Sequence, residues 1–249
     1  NFSRAEQPPE FGALGYNSNV ADLDKTHSLS SLKIGARRAY PIRANWKLAI
    51  ENFLECYHCG PAHTNLVTSH FWDYTLTASQ KKRRADQIAA LLGEDSSGYQ
   101  GTGNGTGPFD GELNPQYLTG SVDGKPLAPL LPNFKEWTND TFAMATDWDT
   151  GYWQAYDDHV VVIRFTPRGP ELTDAEAWWL VHPDAVEGKD YDPEPLMALW
   201  DITVKEDAWI VENNHLGIKS AGYTPGRYSP DEIDCVDFIT WYMRDVIKA

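Results

Sequence analysis

The chain has 249 residues, 41% of them hydrophobic, which suits one large domain or two small ones with a substantial core. Its 36 acidic residues outnumber 21 basic ones, and the formal charge of −15 argues against nucleic acid, whose binders cluster positive charge. No apolar run approaches the ~20 residues needed to span a bilayer, and residues Asn1 to Phe11 lack the basic-then-apolar order of a secretory signal.

In chain order, residues 1–35 are polar and proline-containing, with no convincing core element before Leu32-Lys33-Ile34, and read as a lead-in from a preceding domain. Arg37 to Arg43 has strand-like composition and runs into Asn45, a helix N-cap. From there Trp46, Ile50, Phe53, Leu54 and Tyr57 recur at helical spacing, which predicts one buried stripe on a helix ending near Cys59, where Pro61 forces Gly60 out of the α region. On that helix Glu51, Glu55 and His58 are neighbours at i, i+4 and i, i+3. The Gly60-Pro61 break then lets His63 fold back beneath His58, which an unbroken helix forbids, since residues five apart diverge by about 140°.

Gln80 to Leu92 is predicted as a surface helix whose run Lys81-Lys82-Arg83-Arg84 forms a solvated face. Glu94 to Asp123 is rich in Gly, Ser, Thr and Asn and reads as a loop or flexible insertion; no Gly-Lys-Ser/Thr follows its glycines, so it is no phosphate loop. Strands follow at Phe142 to Thr146, Tyr152 to Tyr156, Val160 to Thr166 and Ala175 to Val181, with turns at Asp157-Asp158 and Pro167-Arg168-Gly169, the pattern of an antiparallel meander. Asp192 and Pro193 open a long helix carrying Leu196, Leu199, Trp200, Val204 and Val211 to a stop at Gly217, and Asp231 to Ile247 closes the chain as a second one. The order implies an α+β domain, with helices packed on one antiparallel sheet.

Two imidazoles and a carboxylate with open coordination positions are the donor set of non-haem Fe(II) oxygenases. Glu55 suits the outer carboxylate that receives a ligand histidine's other N–H. Spacing alone does not separate such a site from two polar surface histidines. Structural zinc is disfavoured, because Cys56-Tyr57-His58-Cys59 has no second Cys/His pair. Cys56-x-His58 is half of a Rieske motif, but no Cys-x-x-His stands at a loop's distance, so the chain cannot hold a [2Fe–2S] centre alone. Cys56 and Cys59 read as packing cysteines, and with Cys235 they are too few for a disulfide framework, so a reducing cytoplasm is the expected setting.

The stretch NWKLAIENFLECYHCGPAH resembles the iron-binding signature of the catalytic domain of Rieske non-haem iron oxygenase α subunits. RFTPRGPELTDAEAWWLVHP resembles the family's central strands, and KEDAWIVENNHLGIKSAGYTPGRYSP its long helix and the loop after it. Coverage runs from about Ala44 to the C-terminus, interrupted around 68–140. The resemblance implies a helix-grip fold over residues 36–249, a curved antiparallel sheet gripping a long C-terminal helix. It implies that His58, His63 and Asp207 hold mononuclear Fe(II), the ligand offset selecting Asp207 rather than Glu206. It gives Glu55 the bridging position toward the Rieske cluster of a neighbouring chain in a homotrimer. Glutamate followed by Cys-Tyr-His-Cys is similar to the branch acting on carnitine, glycine betaine, choline and stachydrine. The implied partners are O2, a small-molecule substrate and a reductase or ferredoxin, with the [2Fe–2S] cluster on a missing domain or partner chain. The implied reaction is hydroxylation or N-demethylation.

Ten tryptophans, among them Trp137, Trp148, Trp153, Trp178, Trp179 and Trp200, offer either core packing or a cation–π box for a quaternary ammonium group. Three other readings fit parts of the pattern: an aromatic-ring-hydroxylating dioxygenase, a non-catalytic helix-grip ligand-binding module, and a zinc hydrolase with Glu55 activating a metal-bound water.

Overall fold

The computed structural model describes residues 17–71, 111–138, 141–147, 151–229 and 232–247. The helix expected at Gln80 to Leu92, its basic run and most of the Gly-rich stretch lie outside these residues.

Seven strands form one sheet in the order β1-β7-β6-β5-β4-β3-β2, every neighbouring pair antiparallel. They are β1 (Lys33–Ile42), β2 (His70–Phe71), β3 (Gly111–Leu113), β4 (Thr141–Asp147), β5 (Gly151–Ala155), β6 (His159–Gly169) and β7 (Leu172–Val181). The meander is as expected, with one correction: β6 runs through Pro167 to Gly169, and the ladder accommodates this by a register shift there. A proline sits in a sheet where the ladder is interrupted, because it has no N–H to donate. The Gly-rich stretch from Gly111 onward contributes β3, and Leu113, Thr119 and Ser121 are buried.

Side-chain alternation assigns the two faces of β6 and β7. Val161, Ile163, Phe165, Ala177 and Trp179 point into the main core, shared with helices α2 (Trp46–Leu54) and α5 (Pro193–Gly217). Fully burying a residue such as Ile163 or Phe165 stabilises by about 1.5–3 kcal/mol. On the opposite face Val160, Val162 and Leu180 pack with Leu23 of α1 (Asn17–His27) and with Leu131 and Phe134. The lead-in therefore contains a helix, and Leu23, Thr26 and His27 within it are buried, against the sequence expectation. Of the tryptophans, Trp179 is fully buried, while Trp178 takes Arg37 and Arg164 over its ring on the outer face.

The long helix starts where it should: the Asp192 carboxylate accepts from the Glu194 N–H and Pro193 occupies the first turn. Its 25 residues end at Gly217, and it packs along β1 and α2, with α6 (Ile233–Trp241) also against α2. No helix among the described residues is long and apolar enough to cross a membrane.

Candidate metal centre

Asn45 caps α2, its side chain accepting from the Lys47 N–H. The helix stops at Leu54, five residues before the expected end, and Glu55 is already extended at φ −127°, ψ 162°. The Glu55 carboxylate explains the early stop, because its Oε2 accepts from the backbone N–H groups of Tyr57 and His58 and so caps a turn. Tyr57, placed on the buried stripe by its spacing, is thereby turned out and is 70% exposed. Glu51 takes no part in the site and accepts from the Tyr228 hydroxyl. Two short helices follow, α3 (Cys59–Ala62) and α4 (Thr64–Ser69); Pro61 is accommodated in the first turn of α3, where the missing N–H costs no bond. The same turn brings the Cα atoms of Cys56 and Cys59 to 4.9 Å, within disulfide range, and their sulfurs are bonded. The reading of these two as unpaired packing cysteines is corrected accordingly.

His58 and His63 flank α3, one at its N-terminal and one at its C-terminal end. Their Nε2 atoms lie 3.1 Å apart, and Asp207 Oδ1 of α5 lies 3.1 Å from the first and 3.0 Å from the second. The other ring nitrogens are occupied: His58 Nδ1 is 2.6 Å from Glu55 Oε1, and His63 Nδ1 is 2.8 Å from Glu206 Oε2. The Asn52 amide donates to Asp207 Oδ1 at 2.7 Å. His63 and Asp207 are buried.

These contacts fix what the centre wants. If each Nδ1 donates its proton to a carboxylate, both Nε2 atoms present lone pairs, and with Asp207 Oδ1 three acceptors converge with no hydrogen among them. Protons on the rings or a metal ion can satisfy such a triangle. Burial pushes the pKa of His58 down, but Asp207 and Glu55 outweigh it and hold it at about 9. His63 is likewise raised despite burial, by Asp207 and Glu206. Burial raises Asp207, and the two imidazoles more than reverse it. A metal ion serves the same acceptors: with bonds of about 2.1 Å, donors 3.0–3.1 Å apart subtend roughly 90°, one face of an octahedron rather than the corner of a tetrahedron. The donor set therefore fits a six-coordinate ion with open positions better than structural zinc.

The centre opens into a small, partly open cleft walled by Phe53, Tyr152, Trp200, Leu66 and Thr203. Phe53 and Tyr152 pack edge to face at 5.4 Å, and Tyr152 and Trp200 lie 6.0 Å apart. Trp200 is held from behind. Its Nε1 donates to the Tyr156 hydroxyl at 3.0 Å, which pairs at 2.8 Å with His70 Nε2, and His70 Nδ1 lies 2.7 Å from Ser69 Oγ. Burial lowers the pKa of His70 to about 3, which keeps it neutral and able to accept from Tyr156. Gly120 lets this ring in, since a Cβ there would sit 2.1 Å from the Tyr156 ring.

All four residues singled out in the sequence, Glu55, His58, His63 and Asp207, thus converge on one centre. Sequence reasoning did not find Asn52, Glu206 or the Tyr156–His70 pair. Asn52 was visible only as the second residue of Glu51-Asn52 within the signature, and the others are joined by contacts distant in sequence.

Comparison with known proteins agrees with this architecture. A family model described as the ring hydroxylating alpha subunit (catalytic domain) matches residues 29–247. The glycine betaine monooxygenase oxygenase subunit of Chromohalobacter salexigens is 31% identical over 262 residues, covering 99% of this chain and 56% of that protein. The carnitine monooxygenase oxygenase subunit of Escherichia coli is 49% identical over 47 residues, 19% of this chain and 13% of that protein. A crystal structure of the quaternary ammonium Rieske monooxygenase CntA with L-carnitine superposes with a TM-score of 0.55 at 18% identity, covering 96% of this chain and 55% of that one, a likeness of fold. The chain spans little more than half the length of the curated relatives matched along its whole length, 56% and 59%. By the family model and the sequence relatives together, the chain belongs to the catalytic domain family of ring-hydroxylating, Rieske-type oxygenase alpha subunits.

Proposed function

We propose that the chain is the oxygen-activating part of a monooxygenase that hydroxylates or N-demethylates a small quaternary ammonium compound. His58, His63 and Asp207 would hold mononuclear Fe(II), which when bound supplies O2 activation next to a substrate C–H bond. The observation that carries the reading is the convergence of His58 Nε2, His63 Nε2 and Asp207 Oδ1 to 3.0–3.1 Å of one another beside an aromatic-walled cleft.

The residues of the chain have distinct tasks in this reading. Glu55 accepts the His58 Nδ1 proton and fixes that ring with Nε2 inward. It lies beside the exposed Tyr57, where a neighbouring subunit carrying a Rieske cluster would deliver electrons through it. Asn52 holds Asp207 Oδ1 in place by donating to it. Phe53, Tyr152 and Trp200 exclude water from the cavity and present ring faces and edges to the substrate. Among the described lining residues there is no lysine or arginine, and the charged ones are Glu55 and Asp207. A trimethylammonium group suits such a wall, each ring contact being worth about 0.5–2 kcal/mol. The names of the relatives, glycine betaine and carnitine monooxygenase subunits, point to the same substrate class.

Titrating the metal-loaded chain with glycine betaine, carnitine, choline and benzoate, followed by tryptophan fluorescence, tests this. The trimethylammonium compounds are expected to bind and benzoate not; tighter binding of benzoate would overturn the substrate assignment.

A further inference from the structure

The two histidines are held in different ways. His58 is fixed from within its own turn, by a glutamate three residues before it. His63 has no such neighbour. It stands at the junction of α3 and α4 with φ −120° and ψ 75°, belonging to neither helix, and its ring orientation is set from α5, 143 residues away. There two consecutive residues grip one imidazole from both sides: Asp207 Oδ1 lies 3.0 Å from Nε2 and Glu206 Oε2 lies 2.8 Å from Nδ1.

Adjacent helix residues leave the axis about 100° apart, so they rarely serve one group. Here the two ring nitrogens supply two targets, and the longer glutamate side chain reaches around to the far one. We propose that Glu206 is the positioning residue of His63: it accepts the Nδ1 proton, fixes the tautomer, and keeps Nε2 aimed at Asp207 and His58. His63 is 1% exposed while the Glu206 side chain is 35% exposed, so substitution at 206 alters the support without opening the core. In proteins generally, loss of such an outer carboxylate costs 10–100-fold in metal affinity.

The inference rests on the metal reading of the centre, and the experiment separates the two. Co(II) is titrated into the 249-residue chain against a competing chelator, for wild type, Glu206→Ala and Glu206→Gln. Proton NMR of each Co(II) form then records the hyperfine-shifted, exchangeable ring N–H signals, and thermal unfolding of the metal-free forms checks their folding. Wild type is expected to show two such signals, one from each histidine. Glu206→Ala is expected to bind about 10–100-fold more weakly and to lose one signal to solvent exchange. Glu206→Gln, whose amide oxygen can accept the same bond, is expected to retain both signals and most of the affinity. Unchanged affinity in Glu206→Ala, retention of both signals there, or a Glu206→Gln variant as impaired as the alanine would each overturn the assignment. Failure of wild type to bind Co(II) would overturn the metal reading itself.

Discussion

Replacing Tyr156 by Phe deletes one oxygen atom and tests how the cavity wall is held. The Tyr156 ring is 1% exposed, so the packing stays while the hydroxyl goes. Two hydrogen bonds go with it, from Trp200 Nε1 at 3.0 Å and with His70 Nε2 at 2.8 Å. The buried Trp200 N–H is left without its acceptor, at about 1–3 kcal/mol, and the second bond adds about 0.5–1.5 kcal/mol. The expected loss is about 2–4 kcal/mol, which for a chain of this size lowers Tm by roughly 4–16 °C. Function should suffer at the same time, because an indole no longer tethered at Nε1 can rotate out of the wall it forms with Tyr152 and Phe53. Thermal unfolding followed by circular dichroism measures the first effect, and a betaine titration of the metal-loaded variant the second. A Tm within about 2 °C of wild type together with unchanged betaine affinity would refute the idea that this hydroxyl holds the wall.

Two further outcomes follow from the same contacts. Glu55→Gln keeps an acceptor for His58 Nδ1 and removes the charge, so metal content should stay near wild type while reduction by a Rieske-cluster partner slows sharply; single-turnover kinetics with chemically reduced partner would show it, and loss of metal in a folded variant would contradict it. His27 is buried and its pKa is lowered by burial to about 3 from an ordinary 6.5. Below pH 6.5 the unfolded chain binds a proton there that the native chain refuses until about pH 3, so this group's contribution to stability is lost as pH falls through 6.5. At pH 5 that amounts to about 2 kcal/mol. The change in urea-unfolding free energy between pH 7 and pH 5 should therefore be less destabilising in His27→Gln than in wild type by about that amount. Identical pH dependence in the two proteins would contradict the assignment.

The sheet was readable in sequence because its signals are local. β-Branched and aromatic residues in Val160 to Thr166 and Ala175 to Val181, with tight turns at Asp157-Asp158 and Pro167-Arg168-Gly169, specify an antiparallel neighbour without reference to anything distant. Asn45 and Asp192 marked helix starts for the same reason, each capping an N–H two residues on. The end of α2 was misplaced because a three-residue spacing between Glu55 and His58 fits a helix and a carboxylate-capped turn equally well. Helix α1 has a weak sequence signal because Val20 and Leu23 are its only large apolar residues. The disulfide was missed because three cysteines were weighed as a framework, not as a single tie across one turn. At the centre, residue types and the resemblance indicated His58, His63, Asp207 and Glu55. The ligand offset of the resemblance points to Asp207, whose Oδ1 faces both Nε2 atoms, but says nothing of Glu206, which reaches the other nitrogen of His63. Tyr156, His70 and Trp200 carry no sequence signal for their partnership, which exists only once β2, the end of β5 and α5 are packed together.

The central claim is that His58, His63 and Asp207 form one metal centre. Its most direct test is anaerobic Fe(II) binding to the purified chain, measured as iron per protein after desalting, for wild type, His63→Ala and Asp207→Ala, with circular dichroism to establish folding. The account predicts one iron per wild-type chain and almost none in either folded variant; an Asp207→Ala protein that retains full iron would contradict it.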